Sequence, residues 1–347
     1  MKVGVLDILS TPARSWSDAA YGLVMTKQYA SLTPQAISVW CRRRGHRTHY
    51  AVYYGVGDPR RLLPADLDVV FLATYTQASA LAYALAKLWR RDGTRTVIGG
   101  PHAKSFPADC ARFVDVVVLD CDEVLIEEIV QGRFPRGSVV TTRRPPSAIP
   151  AIAERWPELA VSAFAGGHPY FSTTVPFLAS TGCPYACDFC IDARTPYRAL
   201  DLEQLAGDLR WLSERFPGVM FGFHDPNFAV RFDDVMDVLE SLPAGRRLPY
   251  IVESSLSILR GPRVARLKTS NCATMAPGVE SWSDYGHKSG VGHTVGAAKV
   301  NRLVDQFTTL RHYVPYLQAN FLFGVDSDRG DEPVELTREF MSRTPFV

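Results

Sequence analysis

The chain has 347 residues, of which 46% are hydrophobic and 21% charged, and its formal net charge is +2. A chain of this length overfills one hydrophobic core and predicts two domains. The small net charge argues against a nucleic acid or an anionic membrane surface as a partner. The first residues lack the layout of a secretory signal, and no stretch approaches the roughly 18 apolar residues of a membrane span. Four of the seven cysteines are scattered, which is typical of free thiols in a reducing compartment and predicts a cytoplasmic location.

Strand-like and helix-like segments alternate through residues 1–132. The runs "KVGVLDIL" and "LDVVFLATY" are continuous and apolar, as expected for strands buried on both faces of a sheet. Between them, "LTPQAISVWCRRRG" has helical spacing, with Thr33 as its predicted N-cap. We predict a doubly wound, Rossmann-like α/β domain with a parallel sheet between two helix layers. Ligands of such sheets bind beyond the carboxyl ends of the strands, here residues 74–76, 99–102 and 120–123.

The composition changes at residues 133–174, which are rich in Pro and Arg and show no sustained period. This segment is predicted to be a linker between the domains. Strand–helix alternation resumes over residues 175–347, where Asp201 is the predicted N-cap of the first helix. Five complete strand–helix units and the start of a sixth predict a partial (β/α)6 barrel without a complete sixth strand.

Three cysteines lie within eight residues of the stretch "ASTGCPYACDFCIDAR", at Cys183, Cys187 and Cys190. A structural zinc site would normally need a fourth ligand, and disulfide pairing would leave one thiol over. An iron–sulfur cluster is held by cysteine thiolates, and three cysteines on a [4Fe–4S] cluster leave one iron open to another ligand. We therefore interpret this loop as a [4Fe–4S] site that follows a strand.

The C-x3-C-x2-C spacing, with Phe189 before the last cysteine, resembles the radical S-adenosylmethionine (SAM) superfamily. The resemblance implies that the amino and carboxylate groups of SAM chelate the open iron, and that an electron from the cluster cleaves SAM to a 5′-deoxyadenosyl radical. It also implies an external electron donor of the flavodoxin or ferredoxin type.

The same resemblance suggests further site residues at the predicted strand ends. Asp225 in "GFHDPNF" would hold an amino group, with capping of the next helix as its alternative. Glu280 and Ser281 in "GVES" would contact the ribose of SAM, unless Glu280 is only a surface residue. Phe323 in "NFLFGVDSD" would lie against adenine, with core packing as its alternative. Glu253 in "YIVES" would face the substrate or a cofactor.

Three segments of the first domain are "DVVFLATYTQAS", "TVIGGPHAKSFP" and "FVDVVVLDCDEVL". In these segments the domain resembles the cobalamin-binding subfamily of this superfamily. The residues predicted to lie near cobalamin are Thr74, Tyr75, Gly99, Gly100 and His102. The double glycine would let the corrin or its nucleotide tail approach the backbone closely. There is no D-x-H-x-x-G motif, so cobalamin would bind without a histidine ligand from that motif, and the alternative is a domain that no longer holds cobalamin.

Together these resemblances imply a cobalamin-dependent radical SAM methyltransferase that acts on an unactivated carbon of a small molecule or natural product. One alternative is a radical rearrangement or oxidation without methyl transfer. A second alternative is a non-catalytic cluster- or corrinoid-binding partner of a longer enzyme, which the expected lack of a sixth strand favours.

Overall fold

A computed structural model describes residues 1–24, 30–144, 146–165, 167–169, 173–187, 189–193, 195–259, 262–284 and 293–347. The chain divides into two compact units, Met1–Pro176 and Phe177–Val347. Within the described residues, no helix is both long enough and apolar enough to cross a membrane.

The first unit contains a six-stranded sheet in the order β2-β1-β3-β4-β5-β6, and every neighbouring pair is parallel. Its strands are β1 (Lys2–Ile8), β2 (Arg47–Tyr53), β3 (Val69–Thr74), β4 (Arg95–Gly99), β5 (Val116–Val118) and β6 (Ser138–Val140). The helices of this unit are α1 (Trp16–Val24), α2 (Leu32–Arg43), α3 (Ser79–Arg91), α4 (Pro101–Ser105), α5 (Pro107–Cys110), α6 (Glu123–Val130) and α7 (Ile152–Ser162). A short antiparallel pair, β7 (Phe164–Ala165) and β8 (His168–Pro169), follows α7.

Successive strand residues point to opposite faces of the sheet, and both faces are buried. Leu6 and Ile8 pack in one core with Trp89 of α3, whereas Val3 and Val5 pack in the other. The doubly wound fold predicted from the continuous apolar runs is confirmed. The strand order reverses direction between β1 and β3, so the crevice of this fold lies at the carboxyl ends of those two strands.

The structure of this unit differs from the sequence predictions at two places. Helix α2 begins at Leu32 with Ser31 as its N-cap, so the prediction of Thr33 as the cap is wrong. Residues 133–174, expected to form a linker, contribute β6 and α7 to the first unit. Helix α7 is anchored there by buried Arg155, whose Nη1 donates to Gln35 Oε1 at 2.8 Å.

The second sheet has the order β9-β12-β13-β14-β15, with β16 also paired to β14. Its strands are β9 (Thr174–Phe177), β12 (Met220–Phe223), β13 (Tyr250–Ser254), β14 (Cys272–Glu280), β15 (Tyr316–Leu317) and β16 (Asn320–Phe321). Strands β12 to β16 pair in parallel. A separate antiparallel pair, β10 (Ser180–Thr181) and β11 (Arg198–Ala199), follows β9.

The helices of the second unit are α8 (Leu202–Arg215), α9 (Phe232–Ser241), α10 (Arg263–Thr269), α11 (Gly296–Leu310) and α12 (Glu332–Arg343). The sheet keeps the sequence order of its strands, as in the wall of a (β/α) barrel, and does not reverse like the first sheet. Asp201 caps α8 as predicted, since its Oδ1 accepts from the backbone N–H of Glu203 at 2.8 Å. Phe177 of β9, Phe221 of β12 and Tyr250 of β13 pack in a row of tilted rings, with centroid distances of 5.0 and 5.5 Å.

Candidate functional site

The three clustered cysteines lie in a hairpin loop, here called the cysteine hairpin (residues 180–199). Its base is the β10–β11 pair, in which Ser180 lies opposite Ala199. The backbone N–H of Leu200 extends this pairing by donating to the carbonyl of Ala179 at 2.9 Å. We call the residues 179–181 and 198–200 the neck of the hairpin. The loop is thus closed where the chain leaves the first strand of the barrel sheet.

Gly182 allows the chain to turn out of the neck. Its φ is +66°, a left-handed conformation that only glycine adopts without strain. A Cβ at this position would overlap the carbonyl of Pro196 and would lie 2.7 Å from the carbonyl oxygen of Thr195. The backbone N–H of Cys183 donates to that same Thr195 oxygen at 3.3 Å, so the two sides of the loop touch at this glycine.

Gly182→Ala should therefore destabilise the cysteine hairpin. The left-handed strain alone costs about 1–3 kcal/mol, and the overlap is with backbone that cannot rotate away. We expect the purified variant to bind much less iron than wild type under identical anaerobic reconstitution, measured as iron and sulfide per chain. Gly207→Ala, whose Cβ would meet nothing within 4 Å, is the matched control, and equal iron in G182A and wild type would contradict the prediction.

None of the three hairpin cysteines takes part in a disulfide. Cys183 and Cys187 are buried, and Cys190 is half-buried. The backbone N–H of Asp192 points to Cys190 Sγ at 3.4 Å, and such N–H contacts stabilise a thiolate and tune iron–sulfur sites. Within the described part of the chain, no three His, Cys, Asp or Glu side chains are grouped closely enough to hold a metal ion. The donor set, three soft sulfurs on one loop with an N–H directed at one of them, fits an iron–sulfur cluster.

Asp225 and Arg231, both from the segment after β12, hold the neck of the hairpin. The Asp225 carboxylate accepts from the backbone N–H of Ala179 at 3.0 Å and from Ser180 Oγ at 2.6 Å. Arg231 Nη1 donates to the carbonyl of Ala179 at 2.8 Å and also to that of Leu200. Asp225 therefore binds the first strand of the neck, residues 179–181, and Arg231 joins the two strands.

Asp225 is almost fully buried. Burial raises the pKa of its carboxyl to about 6, although the hydrogen bonds from Ser180 and Ala179 oppose that shift. The predicted alternative of a helix cap is not what its carboxylate does in this structure, since its bonds go back to the neck. Phe189, predicted near SAM, lies in the same hairpin directly before Cys190 and is half-buried.

The predicted ribose-contacting segment forms the end of β14. Glu280 has φ +68°, which is strained for a residue other than glycine. Its carboxylate folds back over Gly278, where a Cβ would overlap Glu280 Oε1. The buried Ser281 hydroxyl lies 2.8 Å from Ser283 Oγ, which in turn lies 2.6 Å from Ser327 Oγ. The segment is therefore a tight, polar strand end.

Two further predicted site residues lie at neighbouring strand ends. Phe323 follows β16 and is 55% exposed, which is unusual for such a large aromatic side chain. A side chain this exposed is not packed in the core, which was the alternative interpretation. Glu253 lies at the end of β13, opposite Ala276 of β14, and its side chain is exposed. The barrel sheet thus presents an acid and an aromatic ring at its carboxyl edge.

In the first unit, Thr74 ends β3 beside the strand reversal, and Tyr75 directly after it is partly exposed. Gly100 has φ +95°, and a Cβ there would lie 2.9 Å from the carbonyl oxygen of Thr74. Gly99 meets only ordinary contacts. The second glycine of the pair is therefore the one that this sheet edge requires.

His102 is buried just after this turn. Its Nε2 lies 2.7 Å from the Tyr83 hydroxyl, and its Nδ1 lies 3.3 Å from Thr76 Oγ1. Burial lowers the pKa of the imidazole. The same Tyr83 hydroxyl donates to Asp109 Oδ2 at 2.9 Å. Both ring nitrogens are engaged with the protein, so His102 supports the turn at this edge.

Sequence reasoning missed two buried ionisable residues near these edges. Asp7, in β1, accepts from Ser31 through both the backbone N–H and Oγ at 3.0 Å, and burial raises the pKa of its carboxyl to about 6. Lys299, in α11, is buried behind the end of β14. A signal for it exists, since it occupies the apolar stripe that Leu303 and Phe307 continue at four-residue spacing.

The chain combines a doubly wound unit, a barrel-type sheet and a three-cysteine hairpin at the end of the first barrel strand. This combination resembles radical SAM proteins that carry a cobalamin-binding-type domain. No family model matches the chain. Its sequence is 24% identical over 288 residues to bacteriochlorophyllide d C-12(1)-methyltransferase of Chlorobaculum tepidum, and 23% identical over 290 residues to the C-8(2)-methyltransferase of that organism. These alignments cover 80% and 79% of the chain, which spans 62% of the length of each relative.

Solved structures show the same fold. The radical SAM methyltransferase TsrM from Kitasatospora setae, with cobalamin and a [4Fe–4S] cluster bound, superposes with a TM-score of 0.66 at 14% identity, covering 98% of this chain and 73% of TsrM. The TsrM complex with tryptophan and a SAM analogue gives 0.67 at 13% identity, covering 98% and 71%. The chain therefore has the fold of TsrM and is similar in sequence to the two bacteriochlorophyllide methyltransferases, and the predicted fold class is confirmed.

Proposed function

We propose that the chain is a cobalamin-dependent radical SAM methyltransferase that acts on an unactivated carbon of a small molecule. The observation that carries this proposal is the cysteine hairpin at the end of the first barrel strand, preceded in the chain by a doubly wound unit. Both curated relatives named above are methyltransferases, and TsrM binds cobalamin and a [4Fe–4S] cluster. The second unit would bind the cluster and SAM, and the first unit would bind cobalamin.

In the second unit, Cys183, Cys187 and Cys190 would hold the cluster. Bound together, the cluster and SAM supply the electron and the 5′-deoxyadenosyl group for radical chemistry. The residues proposed to orient SAM are Phe189, Asp225, Glu280, Ser281 and Phe323. The exposed ring of Phe323 offers a stacking surface for a base, whereas Glu280 and Ser281 offer oxygen acceptors for hydroxyl groups. Glu253, exposed at the next strand end, is proposed to face the substrate.

In the first unit, the carboxyl edge between β1 and β3 is the proposed cobalamin site. Thr74 ends β3 and Tyr75 follows it, and Gly99 ends β4 and Gly100 follows it. Gly100 lets the turn after β4 pack directly against the backbone of Thr74 at this edge. His102 would stabilise the edge and leave cobalt without a histidine ligand, since its ring nitrogens contact Tyr83 and Thr76. An external one-electron donor of the flavodoxin or ferredoxin type is part of the proposal.

Product analysis tests this function directly. The anaerobically reconstituted chain would be incubated with SAM and a chemical reductant, with and without cobalamin. We expect 5′-deoxyadenosine, and we expect S-adenosylhomocysteine only when cobalamin is present. S-adenosylhomocysteine reports loss of the methyl group from SAM, so its cobalamin dependence separates methyl transfer from a rearrangement or oxidation.

Cys187→Ala is the negative control, because it removes one of three cluster ligands and should abolish both products. Cys272→Ala is the matched control, since Cys272 is a buried free thiol of β14 outside the hairpin. Failure of a cluster-loaded wild-type chain to form either product would overturn the proposed function. Formation of 5′-deoxyadenosine alone, whether or not cobalamin is added, would support the alternative chemistry.

A further inference from the structure

Every backbone carbonyl from Val279 to Ser283 is bound by another part of the second unit. The carbonyl of Glu280 accepts from the N–H of Leu322 at 2.7 Å, and that of Trp282 accepts from the N–H of Gly296 at 2.8 Å. The three remaining carbonyls, those of Val279, Ser281 and Ser283, all accept from Lys299 Nζ, at 3.5 Å for Val279 and 3.2 Å for Ser283. One side chain therefore satisfies every second carbonyl of this strand end.

The lysine is suited to this task by burial and by its number of donors. Lys299 is 1% exposed, and an ammonium carries three N–H donors and no acceptor. Desolvation lowers the pKa of Lys299 to about 8, while the neighbouring carboxylates of Asp284 and Glu280 oppose that shift. Burying an ammonium group costs free energy unless its N–H donors form hydrogen bonds. Here three carbonyls accept from the three donors of Lys299.

The carbonyls held by Lys299 flank the strained residue. Glu280 has φ +68° and lies between Val279 and Ser281, two of the three residues whose carbonyls the ammonium binds. A left-handed glutamate persists only where its surroundings determine the conformation. Its carboxylate in turn occupies the space above Gly278.

We infer that Lys299 is the positioning residue that holds Glu280 in its left-handed conformation and so directs the Glu280 carboxylate at SAM. The inference rests on the proposed function, since its ligand is SAM. It adds Lys299 to the residues that act at the SAM site. Lys299 acts through Glu280 and does not touch the ligand. Loss of its charge-assisted hydrogen bonds should weaken SAM binding by about 10- to 100-fold without removing the cluster.

The first measurement is hydrogen exchange on the cluster-free chain. Lys299→Met keeps the aliphatic stem and removes the donors. We expect faster exchange in K299M at the amides of Leu322 and Gly296, which report on the carbonyls of Glu280 and Trp282. Lys268→Met, which changes an exposed lysine of α10, is the control and should leave both amides unchanged. Unchanged exchange in K299M would overturn the inference whether or not the chain proves to bind SAM.

The second measurement is the equilibrium dissociation constant for SAM of the cluster-loaded wild type, K299M, E280Q and the double variant. If Lys299 acts through Glu280, the double variant should bind SAM no more weakly than the weaker single variant. Additive losses would mean an independent role and would overturn the inference. If K299M fails to fold, Gly278→Ala tests the same point, because its Cβ displaces the Glu280 carboxylate without touching Lys299, and wild-type affinity there would also overturn it. A wild-type chain that carries its cluster but binds no SAM would instead overturn the proposed function.

Discussion

Arg231→Met should make the reconstituted chain lose its iron–sulfur cluster much faster than wild type does. The guanidinium of Arg231 binds the carbonyls of Ala179 and Leu200, one on each strand of the neck. Hydrogen bonds from a charged donor contribute about 1.5–3 kcal/mol each, so their loss should weaken retention of iron by at least roughly tenfold. The experiment measures iron released to a chelator over time, together with the absorbance of the cluster.

Two variants sharpen this result. Arg263→Met removes an arginine that binds Asp233 of α9 with Nε at 3.1 Å and does not touch the neck, so it should keep the wild-type rate. Arg231→Lys keeps the charge but loses the fork that reaches two carbonyls, and its rate should be intermediate. Equal rates of iron release in R231M and wild type would contradict the prediction.

The neck illustrates how much of this site the sequence predicts. The spacing of the cysteines, the glycine before them and the apolar strand ahead of them predict a tight loop at a strand end, and the structure contains that loop. The partners of Asp225 were not predictable in the same way. A motif places this acid at the end of β12, but only the turn that follows determines whether its carboxylate points into an open cavity or back to Ala179.

The first unit shows a related limit. Hydrophobic periodicity predicts β1 and β3 well, because both faces of the sheet are buried. It fails for residues 133–174, where Pro and Arg conceal a packed helix. Buried Arg155 of α7 is satisfied by Gln35, 120 positions earlier in the chain, and by the carbonyl of Pro150. Pairings between residues so far apart leave no local pattern.

Asp225→Asn should stabilise the chain against urea at pH 8 and have little effect near pH 4. The pKa of the Asp225 carboxyl is about 6 in the folded chain, raised from 3.8 by burial. Between these two values the folded state binds more protons than the unfolded state, so stability falls as the pH rises through this window and then stays level. The ionised carboxylate therefore costs roughly 3 kcal/mol at pH 8. Asparagine avoids that cost, since its oxygen can accept from Ala179 and its amide can donate to Ser180.

The measurement is the urea midpoint of D225N and wild type at pH 4, 6 and 8. Asp7 carries a similar upward shift in the pKa of its carboxyl, but it is present in both chains and cancels in the difference. A D225N chain that is destabilised equally at all three pH values would contradict the prediction.

The same variant separates two roles of Asp225, holding the neck and accepting a hydrogen bond from the SAM ammonium. Asparagine can keep the first role, but it lacks the carboxylate that the second role needs. SAM affinity should then fall although the fold becomes more stable, whereas a residue that only holds the neck would leave affinity unchanged.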